Sequence, residues 1–290
     1  MKNGVIVLLC ALLSVYSISL QAETIKGNGK IVTKQIDVSD FYEIALSVPA
    51  VVNFTQGDEY SCSITTDENI LPFIGFKGAN GTLRIRQLPS KDGKPLLSFS
   101  IGEKEINLPQ YKFPTLEFTS LVINISAPRL EAVRVSGSGT FNMVDDFFDA
   151  KLDVSVNGSG QFNAVKQVKV SKVDVSVMGS GSVKLADVKV REAEVSLSGS
   201  GNVILNGTYT DLDLKMGGSG DIKTYGDALR AKAKIAGSGS IFMGKIAQTI
   251  KYDIAGSGSI YYSGTPELSG LVAGSGSIQQ KESTPYIPED

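Results

Sequence analysis

The sequence predicts an all-β fold: a single-stranded right-handed β-helix, or β-solenoid, with coils of about twenty residues and a Gly-Ser-Gly corner in each. Three observations carry this. The tripeptide GSG begins at Gly137, Gly158, Gly179, Gly199, Gly218, Gly237, Gly256 and Gly274, at intervals of 21, 21, 20, 19, 19, 19 and 18 residues. The residues on both sides of each GSG alternate apolar and polar with period two, which is the pattern of half-buried strands. A unit this short cannot bury its own apolar column, so the copies must stack.

Taken in chain order, residues 1–22 (MKNGVIVLLCALLSVYSISLQA) carry a positive charge at Lys2, an apolar stretch from Val5 to about Leu13 and a more polar run to Ala22. This is the layout of a secretory signal cut after Ala22. The apolar stretch is short for a membrane span, and no basic stop-transfer flank follows it. Cys10 is preceded by Leu8 and Leu9 where a lipidation signal has a small residue. The expected consequence is export, with no transmembrane span in the mature chain.

Residues 23–280 read as one solenoid domain. Its first part, 23–130, is less regular but β-rich, as in SVPAVVNFTQG, YSCSITT and GTLRIRQL, and is expected to supply early coils and the N-terminal cap. Within it, QLPSKDGKPLLSFSIGEKEINLPQYKFP is rich in Pro, Gly and Lys and reads as an excursion loop. Residues 131–280 are the regular coils. The tail, 281–290, contains Pro285 and Pro288, which cannot continue a ladder, so the stack should end near residue 280.

Aligned on the first Gly of each corner, the repeat resolves into columns. Two residues before it stand Val135, Val156, Val177, Leu197, Met216, Ile235, Ile254 and Val272, all apolar. The position before those reads Arg134, Ser155, Ser176, Ser196, Lys215, Lys234, Asp253 and Leu271, polar in seven of eight. Beyond the corner, Phe141, Phe162, Val183, Val203, Ile222, Ile241, Ile260 and Ile278 resume an apolar column. GSG is thus a turn between two strands, where glycine reaches positive φ and lets backbones approach. Parallel crossovers favour the right hand. A propeller is the competing architecture, but its blades need about forty residues and nothing marks odd copies from even.

Composition excludes several chemistries. There is no His, and once Cys10 leaves with the signal Cys62 is the one remaining cysteine. That removes an internal disulfide, the Ser-His-Asp and Cys-His arrangements and ordinary zinc sites. YSCSITT alternates, which makes Cys62 a buried strand thiol. Lys plus Arg number 28 against 30 Asp plus Glu, with no basic run interleaved with aromatics, so nucleic acid is not an expected partner. The GSG corners do not continue into a dinucleotide fingerprint, which needs a third Gly where this chain has Asn142, Asn163, Lys184, Ile204, Lys223, Phe242, Tyr261 and Gln279. GGSGDIKTY is similar to a calcium-binding nonapeptide, but Asp221 stands one position early and the period is near twenty.

Three groups of side chains invite a functional reading. Asp153, Asp174, Glu194 and Asp213 occupy one column in consecutive copies, followed by Lys232 and Lys251. Stacked about 5 Å apart, four carboxylates repel or share a cation, unless Lys151 and Lys172, two positions earlier, neutralise them as part of a solvated face. Asp145, Asp146 and Asp149 read as an acidic loop able to hold a cation. Tyr261 and Tyr262 are adjacent, so one points outward, either as a sugar-stacking platform or as a packed, half-buried aromatic.

The order of features resembles one known family. DFYEIALSVPAVVNFTQG, then TTDENILPFI, NGTLRIRQL, the repeated GSG corners and a closing GSGSIYYSGTPELSGLVAGSGSI follow the pattern of the family described as "Putative auto-transporter adhesin, head GIN domain" over residues 30–280. The resemblance implies a β-helical fold and an envelope or surface location, typically in Bacteroidetes-like bacteria, and supplies no catalytic motif. The expected function is a non-catalytic adhesin-like module, without cofactor or metal, presenting a repetitive surface to a glycan, a surface protein or another copy of itself. The competing reading is a polysaccharide lyase or hydrolase of β-helix type working through carboxylates, Lys and Arg.

Overall fold

A computed structural model describes residues 23–90, 97–101, 104–108 and 113–282. The segment read as a secretory signal and the last eight residues of the tail lie outside the described residues. The chain divides into two compact units, residues 1–26 with 89–117 and residues 27–88 with 118–290. In the first, Thr24–Lys26 pairs in parallel with Thr115–Glu117. Leu97–Ile101 and Lys104–Leu108 pair antiparallel in the same unit, so the segment read as a loop carries a hairpin of its own.

The second unit is a β-solenoid, with no α-helix among the described residues. Each regular coil contributes a leading strand before its GSG corner and a trailing strand after it. The leading strands stack in parallel and in register: Val133, Val154, Val175, Val195, Leu214 and Ala233 follow one another, with Gly137, Gly158, Gly179, Gly199, Gly218 and Gly237 aligned at the corner. The trailing strands align Phe141, Phe162, Val183, Val203, Ile222, Ile241, Ile260 and Ile278. A short third ladder, such as Val168 beside Val188, returns the chain to the next leading strand. Period-two alternation sends the apolar columns inward, and Val133, Val156, Phe141, Phe162 and Ile222 are fully buried. The rings of Phe141 and Phe162 stack at 5.6 Å.

The corners require glycine twice over. Gly179 has φ +114°, and a Cβ there would lie 2.6 Å from the carbonyl oxygen of Gly158 in the preceding coil. Its neighbour Gly181 would place a Cβ 2.7 Å from Gly160 O and 2.6 Å from Val156 Cγ1. Between them Ser180 donates its backbone N–H to Gly158 O at 2.9 Å and leaves its side chain exposed. Each coil thus rests its corner directly on the backbone of the one before.

The early coils are present but not in chain order. Glu43–Ser47 and Val51–Gln56 form one coil whose corner is SVPA, with Ala50 N–H donating to Val48 O at 2.8 Å. On one side it pairs with Ala132–Gly137 and Thr140–Met143, on the other with Thr82–Gln87 and Leu121–Ala127. Earlier sequence is therefore inserted between later segments. The stack is closed by antiparallel strands: Ile74–Ala79 against Thr82–Gln87, and Ser61–Asp67 against Leu121–Ala127, with Ile31–Gln35 outside it. At the opposite end the last strand is Ser277–Gln280.

Candidate functional site

The outward surface of the leading strands brings the charged columns together. Register places Asp153, Asp174, Glu194, Asp213, Lys232 and Lys251 in one line along successive coils. Two positions towards the strand start runs Lys151, Lys172, Glu192, Asp211, Arg230 and Thr249, and two positions towards the corner runs Arg134, Ser155, Ser176, Ser196, Lys215, Lys234 and Asp253. All are fixed by the same alternation that buries Val154, Val175 and Val195.

The four carboxylates are held by lysines. Lys151 Nζ is 3.4 Å from Asp153, Lys172 is 3.3 Å from Asp174 and 3.9 Å from Glu194, and Lys215 is 2.6 Å from Glu194 and 3.8 Å from Asp213. Lys151 and Lys172 were legible in the sequence; Lys215, one coil on and one column across, was not. Such exposed pairs contribute little to stability, so their effect is to neutralise the row more than to hold the fold. Neutralisation is uneven. The hydrogen bond from Lys215 holds Glu194 below its ordinary pKa. Burial, reinforced by Asp153 and Glu194 on either side, pushes Asp174 above its ordinary value despite Lys172. Among the described residues no three His, Cys, Asp or Glu side chains are grouped to hold a metal ion.

Further along, the sign of the central column reverses between Asp213 and Lys232. Arg230 forms a two-pronged bridge to Asp211 at 2.7 and 2.9 Å, which lowers the Asp211 pKa. Lys232 and Lys251 form no salt bridge with any described residue and stand exposed in adjacent coils. They border a shallow groove of about 560 Å³ that also takes in Lys172, Glu192, Glu194, Asp211, Asp213 and Arg230. This surface offers alternating blocks of charge on a rigid ladder and an open groove.

The other sequence candidates are placed apart from it. Asp146 accepts a backbone hydrogen bond from Gln167 at 3.1 Å, and Asp149 accepts from Leu130 at 3.2 Å and Ala150 at 2.6 Å, so these two carboxylates order their loop. Asp145 is exposed. Asp221 pairs with Lys223 at 3.6 Å. Tyr262 points inward, whereas Tyr261 is half-buried and stacks on Phe242 of the preceding coil with centroids 4.8 Å apart. The far sides of this pair meet ammonium groups, Lys281 at 3.7 Å from the Tyr261 ring and Lys223 at 5.7 Å from the Phe242 ring. A sugar needs a bare ring face, and here those faces are taken by a ring on one side and a cation on the other. Cys62 is buried, and burial pushes its thiol up to about 12, which leaves it protonated and inert.

A parallel β-solenoid with glycine corners, a neutralised carboxylate row and a charged open face defines a repeat module that presents a surface. The chain belongs to the family described as "Putative auto-transporter adhesin, head GIN domain", whose model matches residues 40–187 and again residues 175–283. Among solved structures it is similar to that of a protein described as a putative lipid binding protein from Parabacteroides distasonis ATCC 8503, at 28% identity and TM-score 0.76, covering 90% of this chain and 100% of that one. It is also similar to that of a protein described as a putative adhesin from Parabacteroides merdae ATCC 43184, at 23% identity and TM-score 0.71, over 90% and 100%. A third, described as a putative adhesin from Parabacteroides distasonis ATCC 8503, has 22% identity and TM-score 0.72, over 89% and 100%. The two structures below 25% identity speak to the fold alone. No curated protein matches the chain. No helix among the described residues is long and apolar enough to cross a membrane.

Proposed function

We propose that this protein is an exported, non-catalytic adhesin-like module whose leading-strand face binds an acidic glycan of the cell envelope or of a neighbouring surface. The observation that carries the reading is the pair Lys232 and Lys251. These two cations form no salt bridge with any described residue and stand one above the other at ladder spacing, where like charges directly opposite are unfavourable; Asp213 lies beside Lys232 on its other side, and both lysines border an open groove. An extended polymer carrying carboxylate, sulfate or phosphate groups would relieve that repulsion while lying along the coils. The family supports adhesion as the class of function, and the charge pattern supports the choice of ligand.

The test is a glycan array probed with the full chain, with release of reducing or unsaturated sugar followed in the same wells. Saturable, salt-sensitive binding to acidic glycans that is lost in Lys232→Glu/Lys251→Glu is the expected result. Product release would replace this reading with a polysaccharide-cleaving enzyme. Binding confined to vesicles of anionic phospholipid would move the ligand to a lipid headgroup, in line with the lipid binding named for the 28% identical Parabacteroides distasonis protein.

A further inference from the structure

The two ends of the solenoid are built differently. At the start of the stack the antiparallel strands Ile74–Ala79 and Ile31–Gln35 carry exposed Lys77 and Lys34, devices that blunt a sheet edge. At the finish, Glu267–Ala273 pairs on one side with residues 249–255 and has no partner among the described residues on the other. Every residue of that strand is exposed. Leu268 and Val272 continue columns in which Ile250 and Ile254 are completely buried, yet they are 40% and 43% exposed, and Leu271 is 75% exposed. The strand ELSGLVA contains no Pro, no Lys and no register shift against its neighbour.

Its sequence is complementary to itself. A two-fold axis through Gly270 sets Leu268 opposite Val272 on the inward side, Ser269 opposite Leu271 on the outward side and Glu267 opposite Ala273 at the ends. On the inward side apolar residues meet apolar residues, and nowhere do like charges face each other. The segment STPYIPED that follows is a poor occupant, because Pro285 and Pro288 have opposite parity, so in either register one of them falls where the ladder needs an N–H donor. We infer that the C-terminal strand Glu267–Ala273 is a self-association surface, pairing antiparallel with the same strand of a second copy to give a closed two-fold dimer. The edge protected by lysines at the other end stops this contact from propagating into a fibre. One strand pair with a few apolar side chains is a small interface, so the dimer is weak and concentration-dependent.

The test is sedimentation equilibrium of the full chain across a wide concentration range, beside three other samples. The first is Ser269→Lys/Leu271→Lys, the second Ser269→Glu/Leu271→Glu, and the third an equal mixture of the two. Both positions are exposed, so each variant should keep the melting temperature of the parent chain. The expected result is a doubling of mass for the parent chain at high concentration, monomers for each variant alone, and a restored double mass in the mixture. A parent chain that stays monomeric throughout overturns the proposal, as do variants that dimerise like the parent. A monomeric parent that becomes dimeric only when residues 283–290 are removed also overturns it, by assigning the edge to the tail.

Discussion

Asn53 and Asn142 are 89 positions apart in sequence and joined by a side-chain hydrogen bond, Asn142 Nδ2 donating to Asn53 Oδ1 at 3.2 Å. Asn53 in turn donates to Asn124 at 3.1 Å, and Asn163 donates to Asn142 at 3.1 Å, so four amides form a ladder in the order 124, 53, 142, 163. The ladder follows the insertion of the 43–56 coil between later segments.

Replacing Asn53 removes both of its amide bonds from the middle of that ladder. Asn53→Ala should lower stability by about 1–2 kcal/mol, the scale of one part-buried and one exposed hydrogen bond. Asn163→Ala, at the ladder's end, should cost about half as much. Urea unfolding followed by circular dichroism checks both, and equal costs would contradict the ladder.

Gly179 and Ser180 are neighbours with opposite tolerance. Gly179→Ala meets both a positive φ and the Gly158 carbonyl, and is expected to destabilise by about 3 kcal/mol or more. Ser180→Ala touches an exposed side chain and should stay within about 0.5 kcal/mol of the parent. A thermal melt of the two variants side by side settles the comparison.

Asp67 fastens three segments near the capped end. Its side chain is wholly buried and accepts from Gly29 N–H at 2.8 Å, Thr119 N–H at 2.8 Å and the Thr119 hydroxyl at 3.1 Å. Burial alone would raise its pKa, but these donors outweigh it and the value falls below the ordinary 3.8. A depressed carboxylate stabilises fully above its unfolded pKa and loses that contribution as pH falls through its folded pKa. Urea midpoints should therefore hold from neutrality to about pH 5 and decline below about pH 4. Asp67→Asn should lower the neutral midpoint and flatten the acid decline; an unchanged acid profile would refute the assignment.

Cys62, with its thiol pushed up to about 12, should resist a water-soluble disulfide reagent at mildly alkaline pH and react only on unfolding. The measurement is the release of chromophore in native buffer against the same reaction in denaturant. Rapid native labelling would mean that the strand opens.

Much of this was legible in the chain because stacking turns sequence spacing directly into spatial register. The alignment of Val133 with Val154 and of Asp153 with Asp174, and the need for glycine at 179, follow from counting positions around GSG. The inserted coil was not legible in this way. Its corner is SVPA in place of GSG, and its neighbours at 121–127 and 132–143 are set by non-local pairing that leaves no period. The site shows the same division. The acidic column and its flanking Lys151 and Lys172 lie within single strands, whereas Lys215 and the Lys281–Tyr261 contact come from adjoining coils and need the register first.

The inserted coil also dictates a schedule. Val51–Gln56 is synthesised early, yet its neighbours on both sides, Leu121–Ala127 and Thr140–Met143, come far later. Until about residue 127 has emerged, Val52 and Phe54 have no parallel strand beside them, and the second is missing until about residue 143, whereas each later coil needs only about twenty more residues to close onto a finished one. Assembly at the beginning must wait for a loop closure costly in entropy, and from then on it can keep pace with the growing chain. A part of the chain made early therefore waits unsheltered for partners made about seventy to ninety residues later.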